Sequence, residues 1–227
     1  MPDPNPPFTA HLRAVAAPVW EAQLDHPLVR GIGDGTLDPA VFGFWLRQDY
    51  RFLIDYCRVF ALAAARAPDL ATMARFATLL TETIGGEMAL HRSYVAEFGI
   101  TEADLEAEDP APTTRGYADF LLRTAALGDY AELLGALLPC MWGYSELGQA
   151  LKARGLPPEP RYARWIETYA DPAFAELAAW CRERLDAACA GLPAAALARV
   201  EAAFLTSSRY ELMFWEMAWV GEGWTAT

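Results

Sequence analysis

Positive charge is what this sequence lacks most. Its 30 Asp and Glu outnumber 18 Lys and Arg, for a formal net charge of −12. No basic stripe is present to neutralise phosphates, which argues against a nucleic-acid partner. The same sign argues against an anionic membrane surface. No apolar run reaches the roughly 18 residues that a membrane-spanning helix needs. The first residues lack the basic region and apolar stretch of a signal peptide, so residues 1–7 read as a stiff, disordered lead-in and the cytoplasm is the expected compartment. Cysteine is scarce: the four (Cys57, Cys140, Cys181 and Cys189) form no CxxC pair, so no disulfide framework is expected and all four read as reduced.

The remaining composition is that of a folded protein. Hydrophobic residues make up 54% of 227 and charged residues 21%, enough for one sizeable core, and residues 8–227 read as one domain. Eight Trp, nine Tyr and eleven Phe are many for this length, and part of that aromatic surface is expected to line a pocket or cover a subunit interface.

Helical periodicity dominates and no period-two strand pattern appears, which makes the fold class all-α. The expected helices run over 8–24, 38–66, 70–98, 113–127, 130–153, 159–169, 172–188 and 194–219. Breakers agree with these limits. His26-Pro27 and the glycines at 31, 33 and 35 read as a loop, and Asp38-Pro39 reads as a cap followed by proline at the first helical position. The acidic, proline-bearing stretch 106–112 and the prolines at 157, 158 and 160 separate further helices.

Three residues are out of place on the apolar faces of these helices. One stripe reads Phe42, Trp45, Asp49, Phe52, Tyr56, Phe60, with Asp49 as its only anion. A second reads Leu133, Leu137, Cys140, Tyr144, Leu147, Leu151. A third reads Val200, Phe204, Glu211, Phe214, Trp215, with Ser207 and Ser208 between. Burying a carboxylate is costly unless it is paired, hydrogen-bonded or protonated. Taken singly, each acid could serve a structural network, and a free cysteine is an ordinary core residue. Together, a thiol and two acids are more than a helical core needs.

At these residues the chain resembles the TenA (thiaminase II) family, which has a heme-oxygenase-like helical fold. The resemblance runs from about residue 18 to 224. It is carried by HPLVRGIGDGTL at 26–37, QDY at 48–50, EMALH at 87–91, ALLPCMWGY at 136–144, WIETY at 165–169 and SSRYELMFW at 207–215. It implies a single-domain heme-oxygenase-like helical bundle. It implies Cys140 as nucleophile, which is the cysteine class of the family, and Glu211 as acid. It implies Asp49 as the residue that holds the substrate, with Tyr117, Tyr144, Tyr169 and Phe214 as pocket aromatics. Phe52 departs from the pattern: well-known members carry a tyrosine there, near the thiol. The implied reaction replaces a leaving group on the methylene of an aminopyrimidine by water, with aminomethylpyrimidine or thiamin as substrate and hydroxymethylpyrimidine as product, in thiamin salvage. No cofactor or metal is implied, and the usual assembly is a homotetramer.

The chemistry suits the residue types. A thiolate can add to an electron-poor ring and let the exocyclic group leave, and a carboxyl beside that group can protonate it. Two other readings remain. A non-catalytic protein could keep the pyrimidine pocket. A di-metal oxidase could use Glu87 and His91, which stand four apart on one helix face. With three His in the chain and no second pair of that kind, Glu87 and His91 read more simply as a buried pair bracing the bundle.

Overall fold

A computed structural model describes residues 6–97 and 99–225, and the backbone alone at positions 87 and 90. The expected lead-in therefore lies largely outside the described residues. Pro7, which is inside them, is extended (φ −56°, ψ 147°) and precedes the first helix.

Among the described residues there is no strand. The helices are α1 Phe8–Asp25, α2 Pro27–Asp34, α3 Pro39–Ala65, α4 Leu70–Glu82, α5 Met88–Ala96, α6 Glu102–Ala107, α7 Pro112–Leu127, α8 Tyr130–Arg154, α9 Pro160–Tyr169, α10 Pro172–Cys189 and α11 Ala194–Val220. Prolines at the first position start α2, α3, α7, α9 and α10. Asp38, Asp69, Asp129 and Asp171 each accept a backbone N–H as caps.

Three expectations need correction. The presumed loop after residue 26 is α2: His26 caps it, with Nδ1 accepting the Leu28 N–H at 3.2 Å. Its glycines mark close packing rather than a turn, because a Cβ on Gly31 would lie 3.1 Å from Leu37 and one on Gly33 2.9 Å from Leu151. The single helix expected over 70–98 is broken by a π turn, Thr83–Glu87, where the Met88 N–H donates to the Thr83 carbonyl five residues back. The extra residue turns α5 by about 100° relative to a continuous helix. Between residues 98 and 113, where no helix is expected, lies α6, started by a reciprocal capping box between Thr101 and Asp104.

The core is built on α3, α8 and α11. Gly135 of α8 lets α11 approach so closely that a Cβ there would meet the Val200 carbonyl at 3.0 Å. Trp45 of α3 stacks on Trp215 of α11 at 5.6 Å, and both are fully buried. All three odd residues face this junction. Among the described residues no helix is long and apolar enough to cross a membrane.

Candidate active site

Cys140 follows Pro139 in the middle of α8. Proline has no N–H, so the carbonyl of Gly135 loses its helical partner, and the ladder is open one residue before the thiol. The Tyr56 hydroxyl, reaching over from α3, donates to the nearby Leu137 carbonyl at 2.9 Å. Cys57, Cys181 and Cys189 are buried, whereas Cys140 is half-buried. It faces a narrow cavity of about 20 Å³ lined also by Asp49, Leu53, Tyr56, Met141, Tyr144, Tyr169 and Phe174.

Behind the thiol sits Glu211 of α11, 3% exposed. The Cys140 thiol is near enough to act on its carboxyl. The Tyr117 hydroxyl, from α7, donates to Glu211 Oε1 at 2.5 Å. The same hydroxyl lies 2.7 Å from Ser207 Oγ. With the phenol proton committed to Glu211, Ser207 is the donor of that second bond. Burial pushes the Glu211 carboxyl up to about 8, with the Asp49 charge adding to it and the Tyr117 bond and the nearby Cys140 thiol opposing it. Near neutrality Glu211 is therefore largely protonated and can give a proton away. Burial likewise raises Tyr56, Tyr117 and Tyr144 well above the usual phenol value, with the nearby acidic groups adding to it. These hydroxyls remain donors at working pH.

Across the cavity, Asp49 Oδ2 is 2.6 Å from Nε2 of His91 on α5, and both residues are buried. Aromatic rings close the remaining sides. Tyr144 packs on Tyr169 at 4.9 Å and on Trp215 at 5.3 Å. Phe52 stacks between Tyr117 at 4.8 Å and Tyr56 at 5.4 Å, with its ring at an angle to Phe214 at 5.7 Å.

The residues expected from the sequence thus gather in one place, in two layers. Asp49, Cys140, Tyr144 and Tyr169 line the cavity. Glu211, Tyr117, Phe52 and Phe214 stand behind it and shape it. Sequence reasoning missed Leu53, Met141 and Phe174 as lining residues, since apolar residues on a helix carry no chemical signature. It also missed the serine that completes the Tyr117–Glu211 relay and the partner of Asp49. His91 was legible as an unusual residue but not as the neighbour of Asp49. The Glu87 side chain lies outside the described residues. Among those described, no group of three or more His, Cys, Asp and Glu is gathered to hold a metal. Met141, Tyr169 and Phe174 also form one wall of an outer chamber of about 410 Å³, whose other walls include Arg75, Glu82, Thr83, Gly86 and Asp171.

Comparison with known proteins adds a family to this geometry. Residues 13–220 match the model of the TENA/THI-4/PQQC family. The chain is 44% identical over 218 residues to the aminopyrimidine aminohydrolase of Halalkalibacterium halodurans, covering 96% of this chain and 97% of that protein. Among solved structures it is similar to a TenA homologue from P. horikoshii OT3, with a TM-score of 0.88, 30% identity, and coverage of 95% of this chain and 100% of the other. At 19% identity and a TM-score of 0.73 it also shares the fold of a heme-oxygenase-like domain from Shewanella denitrificans, covering 94% of this chain and 92% of that one.

Proposed function

The chain belongs to the TENA/THI-4/PQQC family, and on that premise we propose that it is an aminopyrimidine aminohydrolase of the thiaminase II type. Its substrate is 4-amino-5-aminomethyl-2-methylpyrimidine, with thiamin as a second candidate, and its product is hydroxymethylpyrimidine. The observation that carries this reading is the meeting of a thiol, Cys140, with a buried carboxyl, Glu211, at a cavity lined also by Asp49, Tyr144 and Tyr169.

The flat ring lies against Tyr144 and Tyr169, and Asp49 accepts the N–H of its amino group. The Cys140 thiolate adds to a ring carbon, which pushes electrons toward the exocyclic methylene. The carboxyl of Glu211 protonates the departing amine as the C–N bond breaks. Water then adds to the methylene and returns its proton to the Glu211 carboxylate, and the thiolate is expelled. The net change is amine plus water to alcohol plus ammonia. A cavity of about 20 Å³ is too small for a pyrimidine ring, so the ring enters as the wall shared with the outer chamber gives way. The enzyme acts in the cytoplasm as a homotetramer, a reading supported by the family resemblance and the aromatic content, which sedimentation velocity would test.

Hydrolysis of the aminomethyl substrate by wild type and by Cys140→Ala tests the proposal: the variant should lose turnover while keeping its helical spectrum. Near-normal turnover would remove Cys140 from the mechanism. Phe52 gives a second reading its one support, since without a hydroxyl at that position the chain would bind the pyrimidine without converting it. Ligand binding by the wild type with no turnover would favour that reading.

A further inference from the structure

His91 is a buried titratable group that the mechanism does not use. It does not line the reaction cavity, yet its Nε2 lies 2.6 Å from Oδ2 of Asp49, which does. The side chain of His91 is 3% exposed and that of Asp49 8%. The flank of the imidazole is Trp45, whose ring centroid is 6.1 Å away. Among the described residues, Asp49 Oδ1 has no hydrogen-bond partner, and it is not sealed from the cavity.

Building on the aminopyrimidine reading, we propose that His91 is a positioning residue: it holds Oδ2 of Asp49 so that Oδ1 faces the amino group of the bound pyrimidine. The terminal torsion of an aspartate is broad, so an unheld carboxylate samples many orientations. A ring N–H on one oxygen fixes the plane and leaves the other oxygen in one place. A 4-aminopyrimidine offers that oxygen an N–H donor. A pyrimidine without the amino group offers nothing there and leaves a buried acceptor unpaired, which is a strong basis for discrimination. The π turn at Thr83–Glu87 sets the phase of α5 that points His91 at α3.

The test uses hydroxymethylpyrimidine and its analogue with hydrogen in place of the amino group. Affinities for both are measured by calorimetry on wild type, His91→Gln and His91→Asn. A glutamine amide can place its N–H where Nε2 stands, whereas asparagine is too short and mimics only Nδ1. In wild type the amino group should tighten binding by roughly tenfold or more. His91→Gln should keep most of that advantage, and His91→Asn should reduce it to roughly threefold or less. For turnover, KM should rise in His91→Asn more than kcat falls. Equal weakening of both ligands in His91→Asn would mean that His91 only braces the bundle, and it would overturn the inference while leaving the proposed function standing. An undiminished amino-group advantage in His91→Asn would overturn it too. If wild type binds neither ligand, the proposed function itself is overturned, and the inference with it.

Discussion

Glu211 of α11 stands beside Cys140 of α8, close enough for the thiol to lower its pKa, in a core where Gly135 brings the two helices together. The proposed nucleophile and proton donor are thus held by two helices that cannot slide apart without opening the core.

Loss of the thiol should be the most severe change. Cys140→Ala is expected to reduce kcat by roughly a thousandfold or more, since the covalent route disappears with it. The buried Cys57 of α3 serves as the control: Cys57→Ala should retain activity. Steady-state kinetics on the aminomethyl substrate decides this, and comparable losses in the two variants would contradict the assignment.

Glu211 should make stability depend on pH. Its carboxyl titrates near 4.5 in an unfolded chain and near 8 in the fold. Below the lower value both states hold the proton and the group contributes nothing. Between the two, the unfolded chain has lost a proton that the fold keeps, so this group's contribution falls as pH rises, and it levels off above about 8. Glu211→Gln imitates the protonated form at every pH. Relative to wild type, its Tm should rise by roughly 5 to 10 °C at pH 8 and change little at pH 4. A constant difference across that range in thermal melts would refute the raised titration.

Tyr117 tunes that acid. Its hydroxyl stabilises the Glu211 carboxylate at 2.5 Å, so removing it should raise the acid's pKa further. Tyr117→Phe is expected to shift the basic limb of the kcat profile to higher pH and to reduce kcat by roughly 10- to 100-fold. A downward shift of the limb would show that the phenol acts in another way.

Gly148 is a packing requirement. A Cβ there would lie 2.6 Å from the Tyr169 carbonyl carbon and 2.8 Å from the Ala170 nitrogen. Backbone cannot yield as a flexible side chain does, so Gly148→Ala should push α9 and Tyr169 away from α8. The expected cost is roughly 1 to 3 kcal/mol of stability, with a higher KM because Tyr169 lines the cavity. Denaturant melts and kinetics together check it, and unchanged values in both would mean that the helices adjust freely.

Much of this was legible in the sequence. The stripes around Asp49, Cys140 and Glu211 could be read because a polar group at helical spacing among apolar ones is conspicuous. The boundaries of α3, α7, α8 and α11 were legible because their caps and prolines stand where helix ends need them. What failed was local context. Gly31 and Gly33 read as a loop because glycine's other use, allowing close approach, depends on Leu37 and Leu151, which are distant in sequence. The π turn left no signal, since hydrogen bonds five apart use the same residues as those four apart. The pairing of His91 with Asp49, 42 positions away, required the fold.

The π turn also makes the site sensitive to length rather than to composition. A Cβ at Gly85 or Gly86 would meet nothing within 4 Å, so side chains are tolerated there and exchanging residues leaves the phase of α5 unchanged. Deleting a single residue would restore an uninterrupted helix from Leu70 to Ala96 and swing His91 away from Asp49 by about 100°. Point mutation and deletion, usually graded versions of the same injury, would here differ in kind: a run of substitutions passes unnoticed, and one missing codon disconnects the carboxylate from its support.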